Sequence, residues 1–330
     1  MIKSHLYLSI FLASLVCALI TTPIIRRLAL KWGVVDRPSA RKIHIEPIPL
    51  FGGLSIAFAF LFIFSLFGSF NIELLAALFA SLIIIAIGIW DDVKSISPFL
   101  KLSAQILACW LVIIFGTRAS FTNNPDIDIP ITFLWVVGIT NAFNLLDNMD
   151  GLSVGIAGIA SSFFFILSAM NGQYLIASLS AALAGSCFGF LKYNFRPAQI
   201  FMGDTGSMFL GFLLAIIGLK LRFTNAEALT FAVPIVVLGL PIFDTTLVII
   251  SRMMRGVKVS EGGKDHSSHR LVKIGLSHAR AVFFLYIIGV IFGFCGVVLS
   301  LLTISLSYVM LAILLLFMII GLALFERIKV

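Results

Sequence analysis

Apolar runs follow one another along this chain, separated by short polar stretches. Eleven are read at about 5–25, 50–68, 72–90, 98–116, 129–146, 153–170, 173–191, 205–221, 226–250, 281–301 and 303–325. Each is roughly the 17–25 residues that a helix needs to cross about 30 Å of hydrocarbon. The runs are continuous and do not alternate apolar with polar, and lipid leaves no partner for an open strand edge, so the pattern predicts helices and no β-barrel. The stretch from Met1 to Ile25 carries one Lys, lacks a small-x-small cleavage site and is followed by Arg26 and Arg27, which reads as an uncleaved first span. The expected fold class is all-α: a single polytopic membrane domain over 1–330, about eleven transmembrane helices, with its active site at the cytoplasmic face.

Composition agrees. Hydrophobic residues make up 60% of the chain, charged residues 12%, and the mean hydropathy is +1.13. A water-soluble domain of this length could not bury so much apolar surface. The net charge of +8 reads as loop charge and not as a nucleic-acid footprint. Of the 23 Lys and Arg, only Lys3, Arg118, Lys220 and Arg222 fall on one side of the predicted spans, which leaves 19 on the other. That asymmetry places the N-terminus outside and the C-terminus in the cytoplasm. Cys17, Cys109, Cys187 and Cys295 lie inside apolar runs without metal-ligand spacing and read as small buried hydrophobes.

The cytoplasmic loops hold the unusual residues. Nine of the 15 carboxylates fall there or at the adjoining helix ends: Asp36, Glu46, Asp91, Asp92, Asp147, Asp150, Asp204, Glu261 and Asp265. Several sit where an apolar span meets the interface, a costly position that calls for a cationic partner, either Mg²⁺ or basic side chains. Asp204, between Gly203 and Thr205 at a helix start, fits either an N-cap or a metal ligand, and the second acidic cluster on the same side favours the ligand. Asn141, Asn144, Asp147 and Asp150 recur at threes, which lines one helix face with amides and carboxylates suited to a metal-bound phosphate or the polar edge of a sugar or base. The segment 251–280 is the most basic. His266 and His269 lie three apart with Arg270 beside them, a set suited to a pyrophosphate, with a zinc pair as the rival reading. The first inner loop offers Arg41, Lys42 and His44 ahead of Pro47-Ile48-Pro49 and Gly52-Gly53. Together these are the parts of a phosphoryl transfer between one lipid and one soluble substrate.

Five stretches in order resemble the polyprenyl-phosphate N-acetylhexosamine-1-phosphate transferase family: Arg41-Lys42-Ile43-His44 to Gly53, Asp91-Asp92-Val93-Lys94, Asn141 to Gly151, Phe201 to Ser207, and Asp265-His266 to Leu271. The resemblance covers roughly residues 30–280. It implies transfer of an N-acetylhexosamine 1-phosphate, GlcNAc-1-phosphate first among them, from a UDP-sugar to undecaprenyl phosphate, giving UMP and a lipid pyrophosphate sugar at the bacterial inner membrane. It implies Mg²⁺, with Mn²⁺ able to substitute, on Asp204 and Asn144. It places Asp91, Asp92 and Lys94 near the lipid phosphate, Asp147 and Asp150 near the nucleotide, and the His266/His269 segment at the pyrophosphate. It leaves room for a homodimer. Leu50 stands where relatives carry a basic residue, and Ser267-Ser268 separate the histidines where relatives often add a third. The remaining alternatives are the phospho-N-acetylmuramoyl-pentapeptide branch and, from another class, a secondary transporter using Asp244 beside Pro241.

Overall fold

A computed structural model describes residues 2–37, 46–67, 71–120, 122, 124–223, 231–258 and 263–328. The chain enters on helix α1 (Ile2–Trp32), then pairs β1 (Val35–Asp36) with β2 (Ile48–Pro49) in an antiparallel ribbon, Val35 opposite Pro49. The helices α2 (Gly52–Phe67), α3 (Ile72–Val93), α4 (Pro98–Ile114), α5 (Pro125–Leu146), α6 (Leu152–Met170), α7 (Tyr174–Asn194) and α8 (Gly203–Lys220) follow. Beyond residue 230 come α9 (Ala232–Val237), α10 (Gly239–Met254), the short α11 (Ser267–Lys273), α12 (His278–Leu301) and α13 (Ile304–Glu326).

Helix starts follow local chemistry. Asn71 caps α3 through the Leu74 amide, and Ser97 caps α4 with Pro98 in the first turn. Asn124 caps α5 with Pro125 behind it, and Ser277 caps α12. Among the described residues eight helices are long and apolar enough to span a membrane, and α2 and α4 are shorter apolar helices. The chain is therefore a multi-pass helical membrane protein. The single run read at 226–250 is resolved, over its described part, into α9 and α10, which break at Leu238.

Packing is built around α8, which is buried continuously from Thr205 to Leu219 and enclosed by α2, α3, α5 and α6. Leu and Phe side chains of α1, α12 and α13 face outward, as in Leu8, Leu12, Phe283, Phe294 and Phe317. Hydroxyls turn inward and return to carbonyls one turn back: Thr22 to Ala18 at 2.6 Å, Thr140 to Val136 at 2.6 Å and Ser168 to Phe164 at 2.6 Å. Such local bonding satisfies polar groups where no water is available. At one end of the bundle Lys220 pairs with Glu73, and Gln173 bonds the backbone of Arg222. The carboxylate and histidine clusters gather at the opposite end.

Candidate active site

The site begins at the first turn of α8. A helix start leaves N–H groups without intrahelical partners, and Met202 in the cap position supplies no side-chain acceptor. The acceptor comes from α3. Asp92 Oδ1 takes the Asp204 amide at 2.8 Å, and Oδ2 takes the Thr205 amide at 3.2 Å and the Thr205 hydroxyl at 2.6 Å. Close approach makes this geometry, because a Cβ on Gly203 (φ +72°) would sit 2.5 Å from the Asp92 carboxylate. A Cβ on Gly88 would lie 2.4 Å from the Thr205 Cα, so α3 needs a glycine where it crosses α8. Asp92, not Asp204, is thus the cap. The Asp204 side chain is released toward the pocket.

There it meets Lys101, one turn into α4. The ammonium lies 2.5 Å from Asp204 Oδ2 and 2.7 Å from Asp91 Oδ2. Asp91 also accepts the Ile96 amide at 2.9 Å, which closes the α3–α4 turn. Lys94, the cation singled out by the motif, is exposed. The cation that joins the two carboxylates is Lys101.

The α5 end supplies the second wall. Asn141 bonds the buried Gln105 of α4, its Nδ2 at 2.6 Å from Gln105 Oε1. Asn144 donates to Ser207 on α8 at 3.0 Å, which leaves its amide oxygen for a ligand. Asp150 accepts the Ala198 amide at 3.2 Å, and the following turn is held by Asn194 on the Gly151 amide and Tyr286 on the Gly151 carbonyl. Burial raises the Asp147 carboxyl well above its ordinary range, and the negative charges of Asp204, Asp92 and Asp150 raise it further. A carboxylate held among others in this way favours arrival of a cation. Asp204, Asp147 and Asn144 present oxygen donors alone, a set suited to a hard divalent cation.

The histidine segment forms the third wall, tied to the second by Ser268, whose hydroxyl donates to Asn148 Oδ1 at 2.5 Å. Asp244 of α10 lies 2.8 Å from His266 Nδ1 and accepts the Ser267 amide at 2.7 Å and hydroxyl at 2.6 Å. This fixes the imidazole with Nε2 on its other edge. Asp244, the carboxylate of the transporter reading, is thereby spent on the histidine segment. The His266 and His269 rings are 5.7 Å apart, and His269 Nδ1 has no hydrogen-bond partner among the described residues. Among those residues no three His, Cys, Asp or Glu side chains are grouped to hold a metal, so the zinc pair finds no third ligand. Burial lowers the His269 pKa to about 4; His266 and Lys264 act in the same direction against Asp244 and Asp265.

One expectation is redrawn. Arg270 is not free for a phosphate: it is buried, and all five of its N–H groups bond protein acceptors. Asp265 is likewise internal. Burial would raise its carboxyl, but the fork of Arg252, at 2.8 and 2.9 Å, holds it well below the usual carboxylate range, with Arg255 at 2.6 Å. Arg41, Lys42 and His44 lie outside the described residues. Sequence reading missed Lys101, Gln105, Thr205, Ser207 and Asn148. Lys101 carried a signal as a cation one turn inside an apolar run, Thr205, Ser207 and Asn148 lie inside the quoted motifs without a role assigned to them, and Gln105 carried none.

Residues 74–222 match glycosyl transferase family 4. Over 318 residues the chain is 39% identical to a Bacillus subtilis (strain 168) protein named probable undecaprenyl-phosphate N-acetylglucosaminyl 1-phosphate transferase, covering 93% of this chain and 89% of that one. The decaprenyl-phosphate N-acetylglucosaminephosphotransferase of Mycolicibacterium smegmatis is 32% identical over 323 residues, 85% of this chain and 80% of its own. A phospho-N-acetylmuramoyl-pentapeptide-transferase of Prochlorococcus marinus is 33% identical over 249 residues, 66% and 68% of the two chains.

Proposed function

This chain belongs to glycosyl transferase family 4, and we propose that it transfers N-acetylglucosamine 1-phosphate from UDP-N-acetylglucosamine to undecaprenyl phosphate. An oxygen of the lipid phosphate attacks the sugar-bearing phosphorus. The bond from that phosphorus to the bridging oxygen breaks, and UMP leaves with that oxygen. The observation that carries this reading is Lys101 held between Asp91 and Asp204 at the start of α8, at one end of an apolar bundle. Two anionic substrates can meet there only if their charge is met by fixed cations.

Asp204, Asn144 and Asp147 would hold Mg²⁺, which supplies charge neutralisation on the phosphates when bound. Mg²⁺ keeps several waters and takes substrate oxygens, so few protein ligands suffice. Lys101 meets the lipid phosphate and Asp91 orients Lys101. Asp147 and Asp150 flank the nucleotide. His266 and His269 donate to the pyrophosphate. The site end of the bundle faces the cytoplasm of the bacterial inner membrane, with the N-terminus outside and the C-terminus inside.

Purified protein is mixed with undecaprenyl phosphate and, in turn, UDP-N-acetylglucosamine, UDP-N-acetylgalactosamine and UDP-N-acetylmuramoyl-pentapeptide. UMP release is expected with the first, dependent on both substrates and abolished by chelator. Release from the pentapeptide substrate alone would move the chain to that branch, and no release from any would refute the reading. Impermeant thiol labelling of a cysteine at exposed position 264 tests the sidedness: protection in intact cells is expected.

A further inference from the structure

Arg270 was the cation expected on a substrate phosphate, yet each of its five donors has an acceptor inside the protein. Nε bonds the Asp265 carbonyl at 3.1 Å. One terminal nitrogen bonds the Phe325 and Ile328 carbonyls at 2.7 and 2.8 Å. The other bonds the Ser251 hydroxyl at 2.7 Å and the Glu326 carboxylate at 2.9 Å. The guanidinium therefore joins the segment that carries His266 and His269, the end of α10, and the last turn of α13.

Both sides of that junction need it. The buried guanidinium joins the Phe325 carbonyl in the last turn of α13, which also accepts the Ile328 amide at 3.0 Å, to the Ile328 carbonyl just beyond the helix. Elsewhere α13 is largely exposed, with Ser307 its one buried residue and Met310, Leu311 and Leu314 partly packed on the core. Its site end is otherwise held by the edge-to-face contact of Phe325 with Phe243 of α10, at 5.6 Å between centroids. On the other side, α11 has seven residues, too few for a helix to persist unaided. It is pinned by Asp244 on Ser267, Asn148 on Ser268, the Arg252–Asp265 pair, and Arg270. The first three lie toward the N-terminal half of the segment. Ser268 and Arg270 flank His269, and Arg270 is the anchor on its C-terminal side.

We propose that Arg270 is a positioning residue: it hangs the histidine segment on the site-side end of α13, so that this last helix sets the placement of His269 for the nucleotide sugar. The role of His269 rests on the function proposed above; the junction itself does not. Lys in place of Arg270 could reach one or two of these acceptors, since it has no planar fork. Glu326 supplies one bond of five, so its loss should matter less than loss of the whole turn.

The test compares Arg270→Ala, Arg270→Lys, Glu326→Ala and a stop after Leu324, each as purified full membrane protein checked for a monodisperse profile, with UMP release as the readout. Arg270→Ala and the stop variant are expected to raise KM for UDP-N-acetylglucosamine about tenfold, leaving KM for undecaprenyl phosphate within about twofold. Arg270→Lys should fall between, Glu326→Ala closer to wild type, and the combined Arg270→Ala/stop variant should lose clearly less than the sum of the two, because both remove the contacts between Arg270 and the end of α13. A stop variant with wild-type KM, KM values rising together for both substrates, or additive losses in the combination would overturn the proposal. If the stop variant does not fold, the Arg270→Lys and Arg270→Ala series decides by the same split. Wild-type protein that turns over no UDP-sugar would refute the function instead. Independent of turnover, amide exchange across 267–273 is expected to quicken in Arg270→Ala, and unchanged exchange there would overturn the junction.

Discussion

The Thr205 hydroxyl donates to Asp92 Oδ2 at 2.6 Å, across a crossing of α3 and α8 between residues 113 apart in sequence. The same carboxylate receives two backbone amides. Asp91, its neighbour, faces Lys101. Adjacent carboxylates thus have different work: Asp92 builds the start of α8, and Asp91 orients a cation in the pocket.

Asp92→Asn puts an NH₂ among donors and disturbs the cap. A lost cap costs about 0.5–2 kcal/mol, so Asp92→Asn should lower the melting temperature by several degrees as well as the rate. Asp91→Asn keeps an oxygen for the Ile96 amide and should lower the rate by about 10²-fold or more with a smaller melting shift. A thermal scan beside UMP release separates the two. Wild-type melting for Asp92→Asn with its rate gone would make Asp92 a chemical group.

Lys101 is the second target. Its ammonium sits between two carboxylates that would otherwise repel, and it is the described cation in contact with Asp204. Lys101→Met should reduce turnover by about 10²-fold or more, the scale on which a fixed charge or donor aimed at developing charge is felt. Lys101→Arg should retain part of the rate. Near-normal turnover in Lys101→Met would remove it from the site.

The contrast between Lys101 and Arg270 shows what the sequence could carry. Helices were legible because apolar length is a local property, and carboxylates at the ends of apolar runs marked the site because such positions are costly without cations. What each charge touches depends on which helices cross. Lys101 lies within an apolar run and reads as orientation charge until α4 is laid against α3 and α8. Arg270 stands beside a histidine and reads as a phosphate ligand, but its acceptors at Phe325 and Ile328 are 55 and 58 residues away. The division of labour between Asp91 and Asp92 rests on Gly88 and Gly203, which let α3 and α8 touch. The break at Leu238 is signalled by Gly239 and Pro241, but apolar residues on both sides carried the predicted run across it.

His269 gives a pH dependence with a definite sign. Its folded pKa, about 4, lies below the ordinary histidine value. Its contribution to stability is therefore complete above about pH 6.5 and is lost as pH falls from there toward 4, where the unfolded chain takes the proton and the folded one does not. Asp265 acts in the same direction but at lower pH, below the ordinary carboxylate range. Melting temperatures between pH 7 and 4.5 should fall more steeply for the wild type than for His269→Gln. Parallel curves would show that His269 titrates normally. At neutral pH the ring is uncharged, so in the proposed reaction it would offer the pyrophosphate a hydrogen bond and no net charge.

Asp244 sets the other histidine. Its carboxylate takes His266 Nδ1 and both donors of Ser267 within 2.8 Å, so it fixes the ring and the first turn of α11 at once. Asp244→Asn keeps the shape but can accept through only one oxygen, and its NH₂ opposes either the ring N–H or the Ser267 pair. His266 then loses its set orientation, while Lys101, Asp91 and Asp204 are untouched. The expected result is a raised KM for the UDP-sugar, about tenfold or more, with the KM for undecaprenyl phosphate little changed. His266→Ala should show the same split, and the double variant should lose clearly less than the sum of the two, since part of what Asp244 does passes through that ring and the rest through Ser267. Additive losses in the double variant would mean that Asp244 does not act through the ring. A defect confined to the lipid substrate would place the histidine segment on the wrong side of the reaction.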